Sequence, residues 1–207
     1  MLAIVDYGVG NLFSLHSSLN MIDVPSVVTS DEKALRNAEK IILPGVGAFE
    51  DAARKLKESG LGEVVAEEAR NGKPTMGICL GMQMLFDRSF EYGTHEGLGL
   101  IPGDVVDMTP HIPADLKVPH IGWNALNMKK PDHPLFRYIK DGDFVYFVHT
   151  YYATRCEEYT LATTEYGAEL TACVARDQTI GCQFHPEKSG NIGLDILRAF
   201  CEMEKRK

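Results

Sequence analysis

Paired cysteines are missing from this chain. Its five cysteines, at positions 79, 156, 173, 182 and 201 of 207 residues, are odd in number, never closer than nine positions and without a C-x-x-C pair. That spacing argues against a disulfide framework or a zinc ribbon, and predicts that four of the five are small core hydrophobes. Positive charge is scarce as well. Twenty-one Lys and Arg stand against 29 Asp and Glu, a formal charge of −8, and the one basic cluster is Lys205-Arg206-Lys207. Nucleic acid is therefore not an expected partner. No apolar run approaches the roughly 20 residues of a membrane span, so no membrane association is expected either. The opening Met1 to Asp6 has no basic leader and no cleavage site, which makes a cytoplasmic protein the expectation. Repeats, low-complexity segments and linkers are absent. With 44% hydrophobic residues, the chain is expected to form one domain, 1–207, around a substantial core.

What is present is an alternation. Short β-branched runs at 2–6, 25–29 and 40–44 take turns with helical patterns at 11–21, 48–58 and 61–71, and a fourth strand ends at Cys79. This spacing predicts a mostly parallel sheet flanked by helices, because parallel strands need crossovers and the crossovers bury the sheet. From about residue 98 the texture changes to β-rich runs at 98–108, 120–128 and 143–154, read as an antiparallel extension of the same sheet. Phe144 to Val148 is apolar at every position and so is expected to be buried on both sides. A hairpin at Tyr166-Gly167, a strand at 179–184 and a helix at 192–201 complete the α/β reading.

The most informative segment is Gly77-Ile78-Cys79-Leu80-Gly81, a cysteine between two glycines at the junction of a strand and a helical pattern. A nucleophile elbow has this form: the sharp turn strains the central residue and leaves no room for a Cβ two positions away on either side. Placing Cys79 at a helix start surrounds its sulfur with unpaired backbone N–H groups, an environment that favours thiolate chemistry in general. A thiol nucleophile also needs a base. In Gln183-Phe184-His185-Pro186-Glu187, the proline stops an apolar strand at His185 and sets a carboxylate two residues on. Cys79, His185 and Glu187 thus supply a nucleophile, an imidazole to take its proton and an acid to orient the imidazole. Acyl chemistry further requires oxyanion donors. Leu80 N–H, directly after the nucleophile, is one; the glycines of Pro44-Gly45-Val46-Gly47, at another strand end, allow a second from Gly47 or from the Val46 peptide after a flip.

These residues resemble the class I, triad-type glutamine amidotransferases, whose two signatures match Gly77 to Gln83 and Gln183 to Lys188. The opening Val5 to Asn11, Pro44 to Gly47, Pro119 to Asn124 and Phe147 to Tyr151 look like the branch that forms the glutaminase subunits of imidazole glycerol phosphate synthases. The resemblance covers nearly the whole chain. It implies hydrolysis of L-glutamine through a thioester on Cys79, without a cofactor or a metal. It also implies that Gly45, Gln83, Glu91 and the Thr150 and Tyr151 backbone bind the substrate, with Glu96 as the alternative to Glu91. Ammonia would pass to a (β/α)8-barrel cyclase subunit as heterodimer partner, faced by Asn11, Trp123 and Lys188. Trp123 has a competing reading as a core aromatic, and His149 one as a satisfied strand histidine. Two further expectations compete with the main one: a glutaminase of pyridoxal phosphate or guanylate synthesis, or a regulatory subunit silent until a partner rearranges the Val46-Gly47 peptide.

Overall fold

The computed structural model describes residues 1–204, so the basic cluster at 205–207 lies outside the described residues. Strands β1 (Leu2–Val5), β2 (Ser26–Thr29), β3 (Lys40–Leu43) and β4 (Thr75–Ile78) alternate with helices α1 (Leu12–Met21), α2 (Glu32–Asn37), α3 (Phe49–Glu58) and α4 (Leu61–Arg70). The single turn α5 (Leu80–Gln83) follows β4. Helix α2 has no counterpart in the sequence reading; six residues are under two turns, too short for a clear period. Asp31 nevertheless caps it by accepting from Lys33 N–H at 3.0 Å, a contact worth about 1 kcal/mol.

The second half contributes β5 (Arg88–Ser89), β6 (His95–Glu96), β7 (Asp104–Asp107), β8 (His120–Ala125), β9 (Asn127–Met128), β10 (Phe144–His149) and β11 (Tyr151–Thr154). Strands β12 (Thr160–Glu165), β13 (Glu169–Arg176) and β14 (Thr179–Cys182) and helix α6 (Gly190–Glu202) close the chain. The main sheet runs β2-β1-β3-β4-β14-β13-β12-β9. It is parallel from β2 to β14 and antiparallel beyond. The α/β reading with an antiparallel extension therefore holds. Its membership was drawn too widely, however, because β8 and β10 pair only with each other, and β11, β7, β5 and β6 form a third small sheet.

Period-2 alternation builds a core on each face of the main sheet. Ala3, Val5, Ile41 and Leu43 pack toward α3 and α4, whereas Leu2, Ile4, Ile42, Met76 and Ile78 pack toward α1 and α6. Three of the four cysteines expected in the core, Cys156, Cys173 and Cys182, are buried, but Cys201 is only half-buried. The expectation for Phe144 to Val148 fails: Val145 and Phe147 are buried, while Phe144 is exposed and Tyr146 and Val148 are partly open. The two-stranded sheet has one dry face and one wet face, and its wet face is apolar. Among the described residues, no helix is long and apolar enough to cross a membrane.

Candidate active site

Strand β4 ends at Cys79, whose φ of 54° and ψ of −113° lie where a side chain costs about 1–3 kcal/mol. Three glycines make that geometry obligatory. A Cβ on Gly77 would meet the Gly81 carbonyl, one on Gly81 would run into the Leu43 carbonyl, and one on Gly45 would meet the Gly81 nitrogen at 2.6 Å. The ends of β3 and β4 are thus in backbone contact across the elbow. Cys79 N–H donates to the Cys182 carbonyl at 2.7 Å, which ties the turn to β14 as well. The expectation of a helix behind the cysteine shrinks to the four residues of α5. Whatever the helix start contributes comes from first-turn amides such as Leu80 N–H, which has no intrahelical acceptor.

His185 and Glu187 arrive on the other side of β14. His185 Nδ1 donates to Glu187 Oε1 at 2.8 Å, and both side chains are almost fully buried. The carboxylate therefore fixes the tautomer and leaves Nε2 turned away. Among the described residues, Nε2 has no hydrogen-bond partner. Burial alone would lower the pKa of this imidazole, but the Cys79 sulfur and Glu187 outweigh it and raise the value to about 9. The thiol thus acts on the ring without closing a hydrogen bond in this geometry. Sγ lies 3.9 Å from the Val148 carbonyl and 3.8 Å from Gln183 Nε2.

Cys79 and His185 open into a cleft of ≈ 340 Å³, at the small end of the roughly 300–1,000 Å³ of ligand sites and suited to an amino acid. Leu80 lines it from the elbow, Val46 and Gly47 from the loop after β3, and Gln83, Glu91, Thr150 and Tyr151 line the remainder. Glu91 is held there because its carboxylate accepts from Phe49 N–H at the start of α3, at 2.8 Å. Glu96, its alternative, is exposed on β6 away from the cleft. Gln83 Nε2 donates to the Tyr151 carbonyl and to Gln183 Oε1, both at 3.1 Å. With its amide hydrogens engaged, Gln83 offers a ligand only its carbonyl oxygen. Gln83 and Glu91 are both acceptors and suit an ammonium; a carboxylate has to find its donors elsewhere, as on the Thr150-Tyr151 backbone. Gly45 lies outside this cleft, packed on the elbow and lining a smaller cavity with Asn11, His185 and Glu187.

Further residues complete the site, and of these Tyr92 is not singled out by the sequence. Tyr92 is exposed at the cleft mouth, edge-on to Tyr151 with ring centroids 6.3 Å apart. His149 lines the cleft, and its Nδ1–H donates to the Tyr151 carbonyl at 2.9 Å, leaving Nε2 against His120 Nδ1 at 3.1 Å. Burial lowers its pKa to about 3, with His120 and His185 adding to the effect, so the ring is neutral. His149 is thus a satisfied strand histidine, as expected, but one that borders the cleft.

Trp123 is 52% exposed, which removes the reading as a core aromatic. On the wet face of the β8–β10 pair its ring meets Tyr146 edge-on, and Lys188 Nζ lies 5.9 Å from the centre of the same Tyr146 ring. The 186–188 turn packs against both β10 and α1, and Asn11 stands directly before the first residue of α1. Asn11, Lys188, Tyr146 and Trp123 accordingly lie on a series of neighbouring elements. Ile121 and Phe144 add exposed apolar surface to the small sheet, the kind of patch that marks an interaction site.

Comparison with known proteins fits this geometry. Residues 3–202 match the family model described as glutamine amidotransferase class-I. A protein of Caldanaerobacter subterraneus subsp. tengcongensis named imidazole glycerol phosphate synthase subunit HisH is 49% identical over 206 residues, covering 99% of both chains. A Lacticaseibacillus casei protein of the same name is 48% identical, covering 98% of this chain and 96% of its own. A solved structure described as a glutamine amidotransferase superposes with a TM-score of 0.75 at 18% identity, covering 97% of each chain, and speaks for the fold alone.

Proposed function

The chain belongs to the class-I glutamine amidotransferases, and from that premise we propose that it is the glutaminase subunit of an imidazole glycerol phosphate synthase. It hydrolyses L-glutamine to L-glutamate and ammonia and hands the ammonia to a cyclase subunit in histidine biosynthesis. The observation that carries this reading is identity of nearly one half, end to end, with proteins of that name. The Pro119 to Asn124 segment argues against a glutaminase of guanylate or pyridoxal phosphate synthesis.

In the proposed mechanism His185 Nε2 takes the thiol proton, and Cys79 Sγ attacks the side-chain amide carbon of glutamine. The oxyanion that forms is held by Leu80 N–H and by an N–H of the Val46-Gly47 peptide. His185 then protonates the amide nitrogen, the C–N bond breaks, and ammonia leaves a γ-glutamyl thioester on Cys79. Water, deprotonated by the same imidazole, attacks the thioester; glutamate departs and the thiol proton returns. Facing the Cys79 sulfur and Glu187, an imidazole with a pKa of about 9 keeps the proton it has taken from the thiol near neutral pH, and so has it ready for the leaving nitrogen. Glu91 and the Gln83 carbonyl receive the α-ammonium of the substrate, and the Thr150-Tyr151 backbone receives its α-carboxylate. Gly45 serves indirectly, by letting the oxyanion loop approach the elbow.

The partner is a (β/α)8-barrel cyclase, bound as a heterodimer on the face that carries Asn11, Trp123 and Lys188. It joins the ammonia to a phosphoribulosyl formimino intermediate. The chain works as one domain in the cytoplasm, apart from membranes and nucleic acid, in keeping with its charge of −8. Glutamate release from glutamine by the isolated chain, and by the chain mixed with cyclase and its nucleotide ligand, tests the proposal. Turnover should be slow alone and orders of magnitude faster in the complex. Cys79→Ala should abolish it while leaving synthesis from ammonium salt intact. Loss of both activities in that variant, or full activity without a partner, would sink the proposal.

A further inference from the structure

The loop Pro44 to Gly47 is held at one end and free at the other. At the free end, Gly47 has a φ of 94° and, among the described residues beyond its chain neighbours, nothing within 4 Å of where a Cβ would stand; Val46 is exposed. At the held end, Gly45 presses on the elbow backbone. Pro44 is gripped from the other side by the loop between β1 and α1. The hydroxyl of Tyr7, a buried residue, donates to the Pro44 carbonyl oxygen at 2.8 Å. Three residues on, Gly10 lies so close to the Pro44 ring that a Cβ would come within 3.0 and 3.1 Å of it. The intervening turn is itself fixed, as Gly8 N–H donates to Asp6 Oδ1 at 3.1 Å.

We propose that Tyr7 is a positioning residue for the oxyanion loop: its hydroxyl pins the Pro44 carbonyl, so that only the Val46-Gly47 peptide turns when the donor is brought to bear. A hydroxyl suits this task because the Pro44 carbonyl shares one rigid plane with Gly45 N–H, so a bond to that oxygen orients the peptide that leads into Gly45 and Val46. Burial, with a smaller push from Cys79, raises the pKa of the phenol, so Tyr7 remains a neutral donor. The same loop leads into Asn11, on the face assigned to the partner, and the anchor therefore lies between that face and the donor.

This inference rests on reading Pro44 to Gly47 as the oxyanion loop of a glutaminase. Tyr7→Phe removes one oxygen and keeps the ring, and its effect should fall on a step in which negative charge develops on oxygen. In the complex with cyclase and its nucleotide ligand, kcat for glutamine should drop about tenfold to a hundredfold, less than the loss of a whole donor. KM should change less than twofold, and synthesis from ammonium salt should be unaffected. Alkylation of Cys79 by iodoacetamide displaces iodide at an sp³ carbon and develops no oxyanion, so its rate should match the wild type. Unchanged kcat would overturn the proposal. So would parallel loss of turnover and alkylation, which would place Tyr7 in service of the thiol or the fold. A wild-type chain without glutaminase activity would instead overturn the functional reading beneath it.

Discussion

The two walls of the cleft are built differently. On the elbow side, Gly77, Gly81 and Gly45 bring three backbone segments into contact, and a strained Cys79 is held because its neighbours leave no alternative. On the side of Val46 and Gly47 the chain is exposed, and its glycine is unconfined. Cys79, His185 and Glu187, the proposed nucleophile, base and acid, are therefore placed by the fold itself, whereas the proposed second oxyanion donor lies on a peptide with room to turn. On the proposed function, this division would hold the thiol in place and let ammonia form only when something outside the cleft selects the peptide orientation. The wet β8–β10 face and the N-terminus of α1 provide surface for that outside influence.

Substitution on the rigid wall should have the largest effect. Gly81→Ala forces a methyl toward the Leu43 carbonyl and parts β3 from the elbow. It should remove glutaminase activity and lower stability in urea unfolding by about 1–3 kcal/mol. A variant that retained both would show that the elbow is not over-determined. Gly47→Ala meets no neighbour but must hold a side chain at a φ of 94°. Strain of about 1–2 kcal/mol should bias the loop rather than the fold. Partner-stimulated kcat should fall while the unfolding midpoint moves less than in Gly81→Ala. If Gly47→Ala proves the more destabilising of the two, the contrast between the walls is wrong.

The same contrast explains which parts were legible in the sequence. The parallel half could be read because each strand is an apolar run between helical patterns, and the elbow and the His185-Pro186-Glu187 turn because their geometry is local. In the small sheets the longer strands β7, β8, β10 and β11 fall within the β-rich runs, but their separation from the main sheet could not be read. Arg88–Ser89 and His95–Glu96 are two-residue strands without a period, and β8 and β10 point Trp123, Ile121 and Phe144 outward, against the rule by which apolar positions predict burial. Tyr7, Gln183 and Tyr146 were missed for another reason. Tyr7 meets Pro44 across 37 positions and Gln183 meets Gln83 across 100, and neither segment carries a motif that announces the pairing. Glycine spacing does reveal where two backbones approach closely, but not which distant side chain holds them there.

Electrostatics offer the smallest and most specific test, because Glu187 is fixed in a buried contact with His185 and yet should affect protonation more than shape. In Glu187→Gln the side-chain carbonyl can still accept from His185 Nδ1, so the 2.8 Å contact can persist without the charge. His185 has a pKa of about 9 against burial that would lower it, and the carboxylate is one of the two groups responsible. Without it the pKa should fall. As pH rises, the imidazole loses the proton that ammonia departure requires, so the alkaline limb of kcat/KM against pH should lie near 9 in the wild type and move down in the variant. Stability follows the same sign. A histidine raised from 6.5 in the folded state contributes stability that is complete below about 6.5 and lost as pH climbs through about 9. Glu187→Gln should therefore be most destabilising at the acid end of that window and nearly neutral above it. An alkaline limb that does not move in the variant would mean that Glu187 orients the ring without setting its charge.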